Sequence, residues 1–157
     1  MEIALPRLLI LAGELTVRAG DQLVFGPFGL NVPKFSILAT LLIYGGTPSM
    51  TELREANFIM VSPSSITSLV DDLEARGLLR RIPSPSDRRV SLIEITDEGR
   101  RLLDQVMERY TQVMSDYLQD YDTADLRVVI ASLKGFIEKS AGVLGISEPH
   151  LPPSEKM

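Results

Sequence analysis

Four arginines fall within ten residues of this chain, in the stretch Arg80-Arg81-Ile-Pro-Ser-Pro-Ser-Asp87-Arg88-Arg89. With Arg76, five arginines lie between Arg76 and Ser91 against one acid, Asp87, a local charge of +4. The whole chain carries −5, so the other residues sum to −9. A guanidinium is always charged and presents a rigid fork of donors. On a hairpin tip such a group can enter the negative potential of a narrow DNA minor groove. Asp87 is placed to pin one guanidinium and fix the aim of its neighbour. A solvated tip kept soluble by charge would carry the same residues, so the elements upstream have to decide between the two.

A second set of polar side chains lies just before the arginines. Ser62, Ser64, Ser65, Thr67 and Ser68 crowd seven positions. On a helix they can meet base edges, which hydroxyls read permissively. The free amides at such a helix start can receive a phosphate. Arg54 and Arg76 flank this set and are candidates for contacts to a nucleic-acid backbone. Arg81, Asp87, Arg88 and Arg89 complete the candidate DNA-binding residues.

Other chemistry finds little support. There is no cysteine, and the single histidine, His150, lies in a proline-rich tail. That set does not make a typical zinc site. Asp71, Asp72 and Glu74 read better as a solvated helix face, with Asp71 or Glu74 pairing nearby arginines, than as a metal cluster. No Gly-rich phosphate loop and no nucleophile with a histidine partner occurs. The expectation is a non-enzyme without cofactor or metal. Tyr110 and Tyr117, seven apart, suit a core or dimer seam better than a ligand pocket. Arg7, Arg18 or Lys34 could receive an acidic ligand, although surface charge explains them equally well.

The elements follow from periodicity and caps. The 157 residues, 45% hydrophobic, suit a single domain of common size. The pI of about 4.9 argues against bulk attraction to nucleic acid or an anionic membrane. Glu2 and a short apolar run argue against a signal peptide, and no run is long enough to span a membrane. The expected compartment is the cytoplasm. Apolar residues from Leu5 to Leu23 keep helix spacing over 4–24. A second helix starts near Asn31 and stops at Gly45-Gly46. Ser49 and Glu52 form a capping box for a short third helix ending near Asn57. Ser62 then caps a fourth, with Pro63 at its first position and Gly77 as its stop. Short strands are expected at 79–82 and 90–95 around a Pro/Ser turn. Thr96 caps a long helix over about 97–120, and a final helix restarts at Thr123.

The fold class is therefore mainly α: a winged helix-turn-helix lobe of three helices and a β-hairpin wing, between terminal helices. The boundaries read as 1–30 for an N-terminal dimerisation helix and loop, and 31–96 for the DNA-binding lobe. Residues 97–144 form C-terminal dimerisation helices, and 145–157 a disordered tail. In such a lobe the longer helix can enter the major groove while the hairpin reaches the adjacent backbone or minor groove. Apolar stripes on the first and last two helices exceed what one small lobe could cover, which points to a dimer. Packing of those helices within one chain is the plainer alternative.

The stretch from Ser62 to Leu103 closely resembles the core of the MarR family of winged-helix transcriptional regulators. That family reads approximately S-x-S-T-V-T-R-x-V-D-x-L-E-x-x-G-L-I-x-R, then D-P-x-D-R-R, then L-T-x-x-G. The matching residues are Ser62, Ser64, Ile66, Thr67, Val70, Asp71, Leu73, Glu74, Gly77, Leu78, Arg81, Pro85, Asp87, Arg88, Arg89, Ile95, Thr96 and Gly99. The helical plan from about 4 to 142 also fits. The resemblance implies a homodimer whose two lobes meet successive major grooves of a palindromic double-stranded operator. It also implies a small effector, often aromatic or phenolic, held between lobe and dimer domain, and a regulator that is commonly a repressor.

Three positions depart from the pattern. Ser68 stands where the family often has a basic residue, and Ser84 where it has the first wing aspartate. The segment 50–101 carries 8 bases and 9 acids. DNA binding should then be weak, lean on the wing and depend strongly on salt. The acidic fourth helix motivates an alternative: a winged-helix protein-interaction module with weak or no DNA binding.

Overall fold

The computed structural model describes residues 4–43, 46–57, 62–87 and 89–146. The chain forms two compact units, Met1–Met114 and Ser115–Met157. The tail expected to be disordered lies, from residue 147 onward, outside the described residues.

The first unit opens with α1, Ala4–Gly20, which continues through a π-helical turn, Asp21–Phe25, and a 3₁₀ turn, Gly26–Phe28. The expected helix over 4–24 is thus helical throughout, but its last turn is wider than an α-helix. Gly29, at φ +66°, lies where the chain bends by 70° into the next helix. Then α2 runs over Val32–Ile43. Its start is doubly satisfied: Asn31 Oδ1 accepts from the Lys34 amide at 3.0 Å, and Asp21 Oδ1 from the Val32 amide at 2.6 Å. Phe25 and Phe35 stack with centroids 4.7 Å apart, fastening the turn to α2. The expected stop at Gly45 lies outside the described residues.

α3, Met50–Asn57, begins with the expected capping box. The Ser49 amide donates to Glu52 Oε2 at 2.7 Å, and the Glu52 amide to Ser49 Oγ at 3.3 Å. The backbone donor at Ser49, then its hydroxyl, holds the Glu52 carboxyl below its usual range. α4, Pro63–Ala75, follows. It ends in a Schellman motif: Gly77, at φ +71°, donates to Glu74 O at 2.9 Å, and the Leu78 amide to Leu73 O at 3.0 Å.

β1, Leu79–Pro83, and β2, Ser91–Ile95, pair antiparallel in the register Leu79↔Ile95 to Pro83↔Ser91. Sequence spacing missed a third edge. Ser49 bridges Leu92, and the Ile93 amide donates to Pro48 O at 2.8 Å, so the segment before α3 lies along β2. Thr96 caps α5, Asp97–Leu118, as expected: the Gly99 amide donates to its hydroxyl at 3.1 Å, and that hydroxyl donates to Gly77 O at 2.7 Å.

The core of this unit is built from Ile37, Leu38 and Leu41 of α2, Leu53 of α3, Ile66, Val70 and Leu73 of α4, and Leu79 and Ile93 of the hairpin. Leu103 and Val106 of α5 join it. Burying each such side chain contributes about 1.5–3 kcal/mol. Ile66, Val70 and Leu73 share one face of α4, which turns Ser64, Thr67, Ser68 and Asp71 outward.

In the second unit Asp122 caps α6, Thr123–Leu144, accepting from the Ala124 amide at 2.6 Å, and Gly145 closes it in the left-handed conformation.

Candidate nucleic-acid interface

The interface begins with α4. Ser62 occupies its N-cap position in extended conformation, but its hydroxyl caps no amide. It instead shares hydrogen bonds with the hydroxyls of Ser65, at 2.7 Å, and Ser64, at 3.2 Å. Ser64, Ser65, Thr67 and Ser68 are all exposed. Ser68 Oγ donates to the Ser65 carbonyl at 2.9 Å. Thr67 Oγ1 accepts from Nη2 of Arg54, on α3, at 3.0 Å. Arg54 is half-buried, and its Nε is enclosed without a partner among the described residues.

The acids of α4 are paired within the lobe. Arg81, on β1, reaches Asp71 Oδ1 with Nη2 at 2.5 Å and Glu74 Oε2 with Nη1. Its backbone amide donates to Glu74 Oε1 at 2.9 Å. The hydrogen bond that Arg81 donates to Asp71 raises the Arg81 pKa further, with Glu74 adding to it against the opposing effect of burial. The expected pairing of Asp71 or Glu74 with an arginine is thus met by both at once. Lys34 of α2 pairs with Asp72 Oδ2 at 2.8 Å. That hydrogen bond holds the Asp72 carboxyl below its usual range despite some desolvation.

Arg76, although exposed, is also engaged within the lobe. Its Nη1 donates to Gly29 O at 2.7 Å and its Nη2 to Phe28 O at 2.9 Å, fastening the end of α4 to the turn between α1 and α2. Sequence alone offered no sign of this, because the partners are carbonyls nearly fifty positions away. Arg80 pairs across the hairpin with Glu94 at 2.6 Å.

The tip of the wing is held by its own main chain. Asp87 Oδ1 accepts from the Arg89 amide at 2.9 Å, and the Val90 amide donates to Asp87 O at 3.0 Å. Among the described residues, Asp87 therefore braces the backbone of the tip and not a guanidinium. Ser84, where the resembled pattern has aspartate, is buried and does similar work: the Ser86 amide donates to its hydroxyl at 3.3 Å, and its own amide donates to Val90 O at 2.9 Å. Arg89 is exposed, and among the described residues its guanidinium pairs with no carboxylate. Arg88 lies outside the described residues.

Among the described residues no group of three or more His, Cys, Asp or Glu could hold a metal, and no single helix is long and apolar enough to cross a membrane. A short helix followed by a longer helix with an exposed hydroxyl face, and a two-stranded wing with an arginine at its tip, define a winged-helix protein.

Comparison with known proteins narrows the class. The MarR family's sequence profile matches residues 28–90. The HTH-type transcriptional regulator PecS of Dickeya dadantii is 35% identical over 78% of this chain and 72% of its own length. The crystal structure of a MarR-family transcriptional regulator from Rhodococcus sp. RHA1 superposes with a TM-score of 0.72 at 27% identity, covering 87% of this chain and 94% of that one. CouR from Rhodococcus jostii RHA1, bound to p-coumaroyl-CoA, gives 0.66 at 30% identity, covering 82% and 88%. The chain belongs to the MarR family of DNA-binding transcriptional regulators.

Proposed function

We propose that this protein is a dimeric cytoplasmic repressor that binds a palindromic operator and is released by a small aromatic or phenolic effector. The observation that carries the DNA-binding assignment is the division of labour among the arginines. Arg81 and Lys34 pair with Asp71, Asp72 and Glu74 from within the lobe, which reduces their three negative charges to a net −1. The face of α4 that meets the major groove therefore presents hydroxyls and paired carboxylates, while Arg89 projects from a braced tip toward the minor groove.

Ser62, Ser64, Ser65, Thr67 and Ser68 serve bases and phosphates in this reading, and Arg88 and Arg89 serve the minor groove. Arg54, Arg76, Arg81 and Asp87 position these groups and their supporting elements. The dimer is supported by the exposed apolar residues of α1, where Leu8 is 61% and Ile10 70% exposed, and by those of α6, including Val129, Phe136 and Ile137. The effector class is supported by a 30%-identical relative bound to p-coumaroyl-CoA. In this reading the protein acts by binding alone.

The test is affinity for DNA upstream of its own gene at fixed salt. Arg89→Ala should lose about 1–3 kcal/mol of binding free energy per wing. An unchanged dissociation constant would overturn the wing assignment.

A further inference from the structure

A serine or threonine hydroxyl carries one proton and two lone pairs, so by itself it reads donor and acceptor edges of bases alike. Two adjacent hydroxyls on α4 have that freedom restricted. Ser68 Oγ gives its only proton to the Ser65 carbonyl, which leaves lone pairs facing outward. Thr67 Oγ1 takes a hydrogen bond from Arg54, and a guanidinium cannot accept, so the direction of that bond is fixed. One lone pair of Thr67 is thereby used; a second remains, but the adjacent guanidinium charge disfavours another donor there and biases the hydroxyl toward giving its proton. Both side chains are exposed. The hydroxyls of Ser62, Ser64 and Ser65 differ, because within their cluster either partner can donate.

We infer that the lobe polarises this pair, making Thr67 a hydrogen-bond donor and Ser68 an acceptor, so that neighbouring residues select opposite base edges. Ser68 selects a base that offers an amino group in the major groove, the N6 of adenine or the N4 of cytosine. Thr67 selects an acceptor: N7 or O6 of guanine, N7 of adenine, or O4 of thymine. Arg54 is a positioning residue that sets the polarity of Thr67 without touching a base. Arg54 is half-buried, with its Nε enclosed, and its Nη2 reaches from α3 to Thr67 on α4. The inference rests on α4 being the helix that enters the major groove.

The experiment selects binding sites from a randomised duplex library at low salt with the full-length protein, Ser68→Ala, Thr67→Val and Arg54→Ala, each checked for folding by thermal unfolding. Wild type should enrich one symmetric site. Ser68→Ala should flatten the preference at one base pair per half-site, and that base pair should present adenine or cytosine. Replacing that adenine by purine, or that cytosine by 2-pyrimidinone, removes the amino group and should weaken wild-type binding about ten-fold. Thr67→Val should flatten a different base pair, and Arg54→Ala should widen tolerance at that same pair by letting Thr67 accept as well as donate. A structural role for Arg54 alone would lower stability without moving base preference.

Preferences that survive in both Ser68→Ala and Thr67→Val overturn the inference and leave the interface assignment standing. So does a Ser68 position that selects guanine or thymine. A folded wild type that enriches no sequence overturns both together.

Discussion

Lys34 and Asp72 show how one pair changes the reading of a helix. The sequence places Asp71, Asp72 and Glu74 on the element that would face DNA, which argues for weak binding. Lys34 and Arg81 answer those charges from elements 38 and 7–10 positions away in the chain. The depressed pKa of Asp72 is a stability statement with a definite sign. The contribution of the pair is complete above the unfolded-state carboxylate pKa and is lost as pH falls through the folded-state value. Because the Asp72 carboxylate is about half exposed, solvent screening keeps that contribution small. Lys34→Met should return the Asp72 titration to the ordinary carboxylate range, as followed by carboxyl-carbon NMR. At neutral pH it should also weaken DNA binding, by leaving one unpaired negative charge on α4. An Asp72 titration that does not move would contradict the pairing.

Where caps and turns are concerned, most of the elements were legible. Ser49 and Glu52, Thr96, and Gly77 as the stop of α4 act within a few residues of themselves, so spacing and residue type identify them. What escaped has partners distant in sequence: the clamp of Arg76 on Phe28 and Gly29, the bridge from Ser49 to Leu92, and the link from Arg54 to Thr67. Ser62 holds the expected cap position, yet its hydroxyl bonds to Ser65 and Ser64, a choice that residue type does not reveal. Gly99 illustrates a constraint visible as a motif but explained only by packing. A Cβ there would lie 2.1 Å from Leu78 O and 2.8 Å from Ile95 Cγ1, where the start of α5 lies against the base of the wing. Gly99→Ala should destabilise the fold by about 1–3 kcal/mol in denaturant unfolding. A stability equal to wild type would mean that this close approach is not maintained.

For the molecule as a whole, the chain leaves apolar surface that a second copy would cover. Leu5, Leu8, Leu11 and Leu15 repeat along α1, which buries none of its residues within the single chain. Leu8→Glu should shift the protein from dimer to monomer in light scattering after size exclusion. A variant that remains dimeric at micromolar concentration would remove α1 from the dimer interface. Dimerisation also bears on affinity, because two wings and two α4 helices bind one operator and losses at each half-site add. Net charge then enters last: a −5 chain needs local positive charge to attract DNA, and the wing is where the proposed reading places it.

The most direct test of the central claim is the salt dependence of operator binding. Affinity for the upstream DNA would be measured from low to physiological salt with wild type and Arg89→Ala. A dimer whose wings release counterions from several phosphates should show a log-affinity against log-salt slope of about −4 or steeper. Arg89→Ala should bind more weakly throughout, with a shallower slope. A slope near zero, or superimposable curves for the two proteins, would contradict the assignment of DNA affinity to the wing.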